Sequence, residues 1–230
     1  MKTYLGPEDI NKLEKAATCL RDKLLIRVLV YTACRISEVL AITVEDIDLR
    51  QGTVTIKHLK HRIKLSCPYC NTQLSKAHRY CPGCSKKINL ATKEKLEQHR
   101  RRIVPIDTET KQMLKEYIDR GGPVNHNGRL LIFGINRHRA WQIVKACAER
   151  AGITKLINPE TGKVHNVSPH RLRDAFAVHA IKQDDSGDGL RMLQELLGHK
   201  SFNTTARYRK VAGDELKEWY NRLWKKENNE

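Results

Sequence analysis

Four cysteines carry the plainest chemical signal in the chain. Cys67-Pro68-Tyr69-Cys70 and Cys81-Pro82-Gly83-Cys84 are two CxxC turns separated by ten residues, the double-knuckle spacing of a zinc ribbon. Each turn sets two thiolates at tetrahedral spacing, and Pro82 and Gly83 suit a tight second knuckle. Four thiolates close the coordination sphere and leave no position for water. The expected metal is therefore a structural Zn2+ held by Cys67, Cys70, Cys81 and Cys84, which adds folding energy rather than Lewis acidity. The other three of the seven cysteines, Cys19, Cys34 and Cys147, stand in apolar helical contexts and are expected in the core.

Charge points to the partner. The 43 Lys and Arg against 26 Asp and Glu leave a formal +17 and a pI near 9.7, which suits a polyanion. Aromatic residues make up only 6% of the chain, so phosphate contact rather than base stacking is the expected mode. The longest apolar stretch, Leu24 to Val30, is broken by Arg27, and Met1 to Ile10 holds no apolar h-region. Neither a membrane span nor a signal peptide is expected, and the reading is a cytoplasmic, nucleoid-associated protein. No Walker-type glycine loop appears, so nothing suggests NTP hydrolysis.

Helices dominate the elements that must position this chemistry. Ile10, Leu13, Ala17 and Leu20 repeat at helical spacing after Pro7, which predicts an opening helix over Pro7 to Leu20. Asp22 to about Thr32 is apolar round most of its circumference and is expected at the centre. Ser37 is expected to cap or open a short helix through Val39 and Leu40. Val54 and Ile56 alternate with Thr53, Thr55 and Lys57, a strand over Gly52 to His58 whose partner, Arg102 to Ile106, comes only after a long gap. The basic segment between, Lys57 to Arg102, holds 13 Lys and Arg against 2 acidic residues, contains both CxxC turns, and reads as an insertion in a β-hairpin. Helices are then expected at Asp107 to Arg120, Asn136 to Ala151, Pro169 to Lys182, Leu190 to Leu197, Ser201 to Tyr208 and Asp214 to Trp224, with Asp184 to Gly189 a polar turn.

Four short stretches in these elements resemble, in order, the boxes of the tyrosine recombinase (phage integrase) family. Thr32-Ala33-Cys34-Arg35-Ile36-Ser37-Glu38-Val39-Leu40 is similar to TGxRxSEL, and Ser168-Pro169-His170-Arg171-Leu172-Arg173 carries the HxxR box. Leu197-Gly198-His199-Lys200-Ser201 is similar to the LGH box, and Thr204-Thr205-Ala206-Arg207-Tyr208 to the nucleophile segment, nine residues past that histidine. One box is weak evidence; four in order are specific. Two positions depart from the pattern: Ala33-Cys34 stand where a glycine is usual, and Asp174 where histidine is common, neither read as chemically required.

The resemblance implies an α+β fold, mainly helical with a small antiparallel sheet, interrupted here by a four-cysteine zinc ribbon over 61–100 within a catalytic domain over 1–230. It implies an enzyme that recombines double-stranded DNA site-specifically through a 3′-phosphotyrosyl link, with no ATP and no catalytic metal. Tyr208 is then the nucleophile and Arg35 and Arg173 the planar clamps on the phosphate, a task for which an always-charged fork is better suited than lysine. His170 becomes the expected proton acceptor, and His199 a donor to a phosphate oxygen. The family's hairpin lysine, a general acid for the leaving 5′-oxygen, maps to Lys60, with Lys57 the alternative. Glu38 either orients Arg35 or caps its helix, and the structural role is the expected one.

Family members usually carry a core-binding domain before the catalytic one; here the catalytic fold is expected to begin almost at Met1 and that domain to be absent, the chain being either a catalytic fragment or a minimal enzyme whose zinc ribbon supplies some of the lost grip. After the nucleophile, Leu216, Trp219, Tyr220, Leu223 and Trp224 form an apolar stripe. Such a stripe either covers the chain's own core or, as the resemblance implies, docks onto a neighbouring protomer, which gives a monomer when free and a homotetramer on paired DNA. Two rival functions share these residues: a catalytically inactive zinc-ribbon regulator with the same fold, and a topoisomerase-like relaxing enzyme.

Overall fold

A computed structural model of the chain describes residues 2–57, 64–75, 78–88, 92–94, 101–153, 155–158, 161–199 and 201–209. These divide into two compact units. One is built from the chain up to Ile56 and from Arg102 onward, and the other from Lys57 to Arg101.

The larger unit is organised around α2 (Leu20–Tyr31), against which α1 (Pro7–Lys15) packs. Leu24, Leu25, Ile26, Val28, Leu29 and Val30 are all buried, as a helix apolar on nearly every side demands. The one cation among them, Arg27, is buried too, because it bonds Glu14 at 2.9 Å, Asp107 at 2.6 Å and Thr110 Oγ1 at 3.0 Å. After α3 (Ile36–Val39), the strands β1 (Ile47–Asp48) and β2 (Thr53–Lys57) pair antiparallel, and the chain leaves for the second unit.

That second unit holds β3 (Lys64–Ser66), β4 (Gln73–Leu74) and β5 (Thr92–Glu94), a three-stranded antiparallel sheet with β3 in the middle. Its small core is Cys67, Leu74 and Cys81, with Cys84 and Ile88 against it. The chain returns as β6 (Arg101–Pro105), which completes the sheet β1-β2-β6. The hairpin expected from alternation is thus present, with strand ends one residue away from the predicted ones.

The remaining elements build the wall of the site. Helix α4 (Thr108–Asp119) starts where Asp107 accepts from the Thr110 amide, and α5 (Arg137–Arg150) where Asn136 accepts from the Arg139 amide. Between them β7 (Val124–His126) and β8 (Arg129–Leu131) form a small hairpin; β9 (Lys155–Ile157) and β10 (Val164–Asn166) form another before α6. Helix α6 (Pro169–Gln183) packs on α2, and α7 (Gly187–Leu197) packs on α6. Helix α8 (Phe202–Ala206) closes the described chain.

Three expectations need correction. The opening helix stops at Lys15, because the chain turns there and α2 begins at Leu20. Cys19 is the exposed N-cap of α2 rather than a core residue, while Cys34 and Cys147 are buried as expected. The polar turn after α6 is shorter than predicted: Ser186 Oγ accepts from the Gly189 amide and starts α7 at Gly187. Helix Asp214 to Trp224 and its apolar stripe lie outside the described residues.

Candidate functional site

Arg173 is the hub of the site. It lies in the second turn of α6, 2% exposed, and its fork joins two segments far apart in sequence. Nη1 donates to the Ala33 carbonyl at 2.5 Å, and Nη2 donates to the Leu197 carbonyl at 2.7 Å and to His199 Nε2 at 2.9 Å. Ala33 presents its carbonyl from a left-handed turn, φ 47°, directly after α2. This is where the family pattern has glycine, and the conformation is one that glycine adopts without strain. Burial and the neighbouring Arg35 charge both disfavour the Arg173 cation and lower its proton affinity.

His199 follows the left-handed C-cap of α7, Gly198 at φ 64°. A Cβ at Gly198 would lie 2.9 Å from Arg102 Nη1, so the glycine meets both a conformational and a steric need. The imidazole pKa falls to about 4, through burial first and then the charges of Arg173 and Arg35. The ring is therefore neutral at pH 7. Since arginine only donates, Nε2 is the acceptor from Arg173, and the ring hydrogen is assigned to Nδ1, which donates to Thr205 Oγ1 at 3.0 Å.

Tyr208 stacks beside that ring, centroids 6.4 Å apart with a 10° tilt. It packs against the buried cluster of Ala33, Ala177, Ile181 and Leu193. Its hydroxyl donates to Asp174 Oδ1 at 2.9 Å. Burial raises the phenol pKa, and the Asp174 carboxylate raises it further. Asp174 is 4% exposed, and its other oxygen accepts from Arg171 Nη1 at 3.0 Å. His170, one turn earlier on α6 with its side chain 72% exposed, has Nε2 3.8 Å from Asp174 Oδ1.

Arg35 is the N-cap of α3 and reaches the group through Glu38. Glu38 Oε2 accepts from the Arg35 amide at 3.1 Å, and Oε1 from Arg35 Nη1 at 3.0 Å, so it both caps the helix and orients the guanidinium. Arg102, on β6, adds a third donor, Nη2 to Oε2 at 2.7 Å, and also bonds Cys34 Sγ at 3.2 Å. Burial pushes the Glu38 pKa up, but Arg102 and Arg35 outweigh it and hold the carboxyl near 2.

Of the residues singled out in the sequence, Arg173, His199 and Tyr208 touch one another in series. His170 joins through Asp174, and the charge of Arg35 bears on both Arg173 and His199. Lys60 lies outside the described residues, and its alternative Lys57 ends β2. Two further residues belong to the site without a signal in the boxes: Asp174, where the sequence departs from the family pattern, and Arg102, which lies outside them.

The four cysteines gather in the second unit. Their ligand atoms all lie within 4.8 Å of one another, with Cys67 Sγ to Cys84 Sγ 3.6 Å and Cys70 Sγ to Cys81 Sγ 3.4 Å. Zn–S bonds of about 2.3 Å at tetrahedral angles put sulfurs roughly 3.8 Å apart, so the set fits a tetrahedral ion. The two turns are alike: the amides of Asn71 and Ser85 donate to the Cys67 and Cys81 carbonyls, and both residues have φ 56°. A thiolate quartet could hold a metal here.

Comparison with known proteins places the chain in a family. The chain matches the phage integrase family over residues 3–215. It is 32% identical over 203 residues to tyrosine recombinase XerD of Bifidobacterium longum, covering 87% of this chain and 53% of that protein. The corresponding protein of Corynebacterium glutamicum is 28% identical over 206 residues, 86% of this chain and 51% of its own. The chain thus spans about half the length of the curated relatives it matches. Among solved structures, XerA recombinase superposes with a TM-score of 0.64 at 21% identity, covering 98% of this chain and 67% of that one. The catalytic domain of bacteriophage HP1 integrase gives 0.51 at 19%, covering 94% and 92%. No helix among the described residues is long and apolar enough to cross a membrane. On the matched residues and the shared fold, this chain belongs to the phage integrase family.

Proposed function

We propose that the chain is the catalytic domain of a site-specific recombinase that cuts and rejoins double-stranded DNA through a 3′-phosphotyrosyl intermediate. The observation that carries this reading is the contact of Arg173 with His199 at 2.9 Å and the stacking of His199 on Tyr208. A nucleophile, a guanidinium and an imidazole in one partly buried cluster are what phosphodiester exchange requires. The net +17 supplies sequence-independent attraction to the duplex.

In this reading Tyr208 Oη attacks the phosphorus, while Arg35 and Arg173 hold the non-bridging oxygens. The incoming anion raises the proton affinity of His199, which then donates from Nε2 to the phosphate. His170, at the mouth of the site, serves the proton that Tyr208 gives up. Lys60 protonates the leaving 5′-oxygen. The bond energy is kept in the phosphotyrosyl link, so religation needs no ATP. Cys67, Cys70, Cys81 and Cys84 hold a structural Zn2+ that folds the insertion over 61–100, outside the chemical step. The assembly is a monomer when free and a homotetramer on paired DNA, in the cytoplasm.

The test is incubation with nicked suicide duplexes, in which the cut strand is lost and the intermediate accumulates. A covalent protein–DNA adduct that forms in EDTA and disappears in Tyr208→Phe is expected. Binding without an adduct on every duplex tried favours the regulator instead.

A further inference from the structure

A buried carboxylate is out of place where a phosphate must bind. Asp174 is 4% exposed and lies within the cluster that, on the reading above, receives an anion. It adds repulsion there, so its presence needs a chemical reason. The geometry supplies one. Asp174 Oδ1 is the acceptor of the Tyr208 hydroxyl hydrogen at 2.9 Å, a distance at which a general base works. Arg171 Nη1, 3.0 Å from Oδ2, fixes the carboxylate plane so that Oδ1 faces the phenol. His170 Nε2 is 3.8 Å from that same Oδ1, on the solvent side.

We propose that Asp174 is the first acceptor of the Tyr208 proton during strand cleavage, with His170 the next station toward solvent. The proposal rests on Tyr208 being the nucleophile. Burial and Asp174 favour the protonated phenol, so in this scheme the proton leaves as the new bond forms. The Oη–H bond breaks toward Asp174 Oδ1 and the Oη–P bond forms. The P–O5′ bond then breaks, its electron pair goes to the 5′-oxygen, and that oxygen takes a proton from the lysine ammonium. Religation runs the same steps backward, with the protonated Asp174 returning the hydrogen to Tyr208. Asp174 is thus a catalytic residue at a position where the family pattern commonly has histidine.

Asparagine in place of Asp174 separates holding from proton transfer. Its carbonyl oxygen still accepts the Tyr208 hydrogen bond, but an amide does not take the proton. The full chain is assayed on suicide duplexes for single-turnover adduct formation, with duplex binding and thermal unfolding followed in parallel. Asp174→Asn is expected to slow adduct formation by roughly 10²–10⁴-fold at unchanged binding. Asp174→Ala is expected to be equally slow and to recover as formate is added, because a free carboxylate replaces the missing base. An Asp174→Asn rate within about threefold of wild type, or above it, overturns the proposal, because the contact is then only a tether or a brake. A slow Asp174→Ala that folds and does not respond to formate overturns it too; should that variant fail to fold, Asp174→Asn decides alone. An adduct that survives Tyr208→Phe, or none from the wild type, instead overturns the recombinase reading, and this proposal with it.

Discussion

Arg102 Nη2 lies 2.7 Å from Glu38 Oε2, a contact that ties the strand returning from the four-cysteine insertion to the loop that carries Arg35. Glu38 is 3% exposed and holds Arg35 by both its amide and its guanidinium. One carboxylate therefore sets the position of a phosphate-binding candidate and anchors the hairpin strand. The arrangement survives burial only because the cations and hydrogen bonds outweigh desolvation.

The Glu38 carboxyl is held near 2, against an ordinary value of 4.5. A depressed carboxyl contributes stability that is fully present above pH 4.5 and is lost as pH falls through about 2. The shift corresponds to about 3 kcal/mol. Denaturant unfolding of Glu38→Gln should show a loss of that order at pH 7, shrinking to near zero by pH 2. Equal losses at both values would mean that packing, not charge, is what Glu38 supplies.

His199 moves the opposite end of the acid limb. Its pKa of about 4 lies below the ordinary 6.5, so the unfolded chain binds a proton in that window and the native chain does not. Stability should be complete above pH 6.5 and decline as pH falls toward about 4, with no further loss from this group below that. The wild type should therefore lose stability in two steps, His199 first and Glu38 second. His199→Gln should flatten the first step and leave the second, as read by melting temperature across about pH 2 to 7.

What was legible in the sequence follows from how far each signal reaches along the chain. Arg35, His170, Arg173, His199 and Tyr208 sit in short boxes with fixed internal spacing, and Arg173, His199 and Tyr208 meet in space. The core helix around Leu24 to Val30 was legible because nothing polar but Arg27 interrupts it. Asp174 was not. Beside Arg171 it reads as an i,i+3 helix-surface pair, and its chemical partner Tyr208 is 34 residues away. Arg102 was hidden in the same way: its carboxylate lies 64 residues upstream, across an insertion that already accounts for a run of basic residues. The hairpins of β7–β8 and β9–β10 have three-residue strands, too short for alternation to register.

Gly83 gives a test of the cysteine cluster that leaves every ligand in place. A Cβ there would stand 2.3 Å from Thr72 Oγ1, and Thr72 Oγ1 is itself 3.1 Å from Cys70 Sγ. Gly83→Ala must push Thr72 away and disturb the sulfur it contacts. Elemental analysis should find about one Zn2+ per wild-type chain. Competition with a chromophoric chelator should then show affinity lower by on the order of 10–100-fold in the variant, the usual effect of losing a group that supports a ligand. Zinc-free wild-type protein, purified without chelator, would contradict the assignment.

Arg173→Lys is the sharpest test of the hub, because it keeps the charge and removes the fork. The guanidinium serves the Ala33 carbonyl, the Leu197 carbonyl and His199 Nε2 from two nitrogens whose directions are fixed in one plane. A lysine ammonium is a single point donor that reaches one of these acceptors well and leaves at least one buried carbonyl without a partner. Each such orphan costs about 1–3 kcal/mol, so the melting temperature should fall. Cleavage should fall further than folding does. His199 loses the donor that fixes its tautomer, and a phosphate loses a planar clamp, a loss worth roughly 10²–10³-fold where a preorganised donor is removed. Adduct formation on suicide duplexes, measured at a temperature where the variant is fully folded, separates the two effects. If the lysine variant cleaves at the wild-type rate once folded, Arg173 is a structural tie between α2 and α7 and the phosphate is held elsewhere.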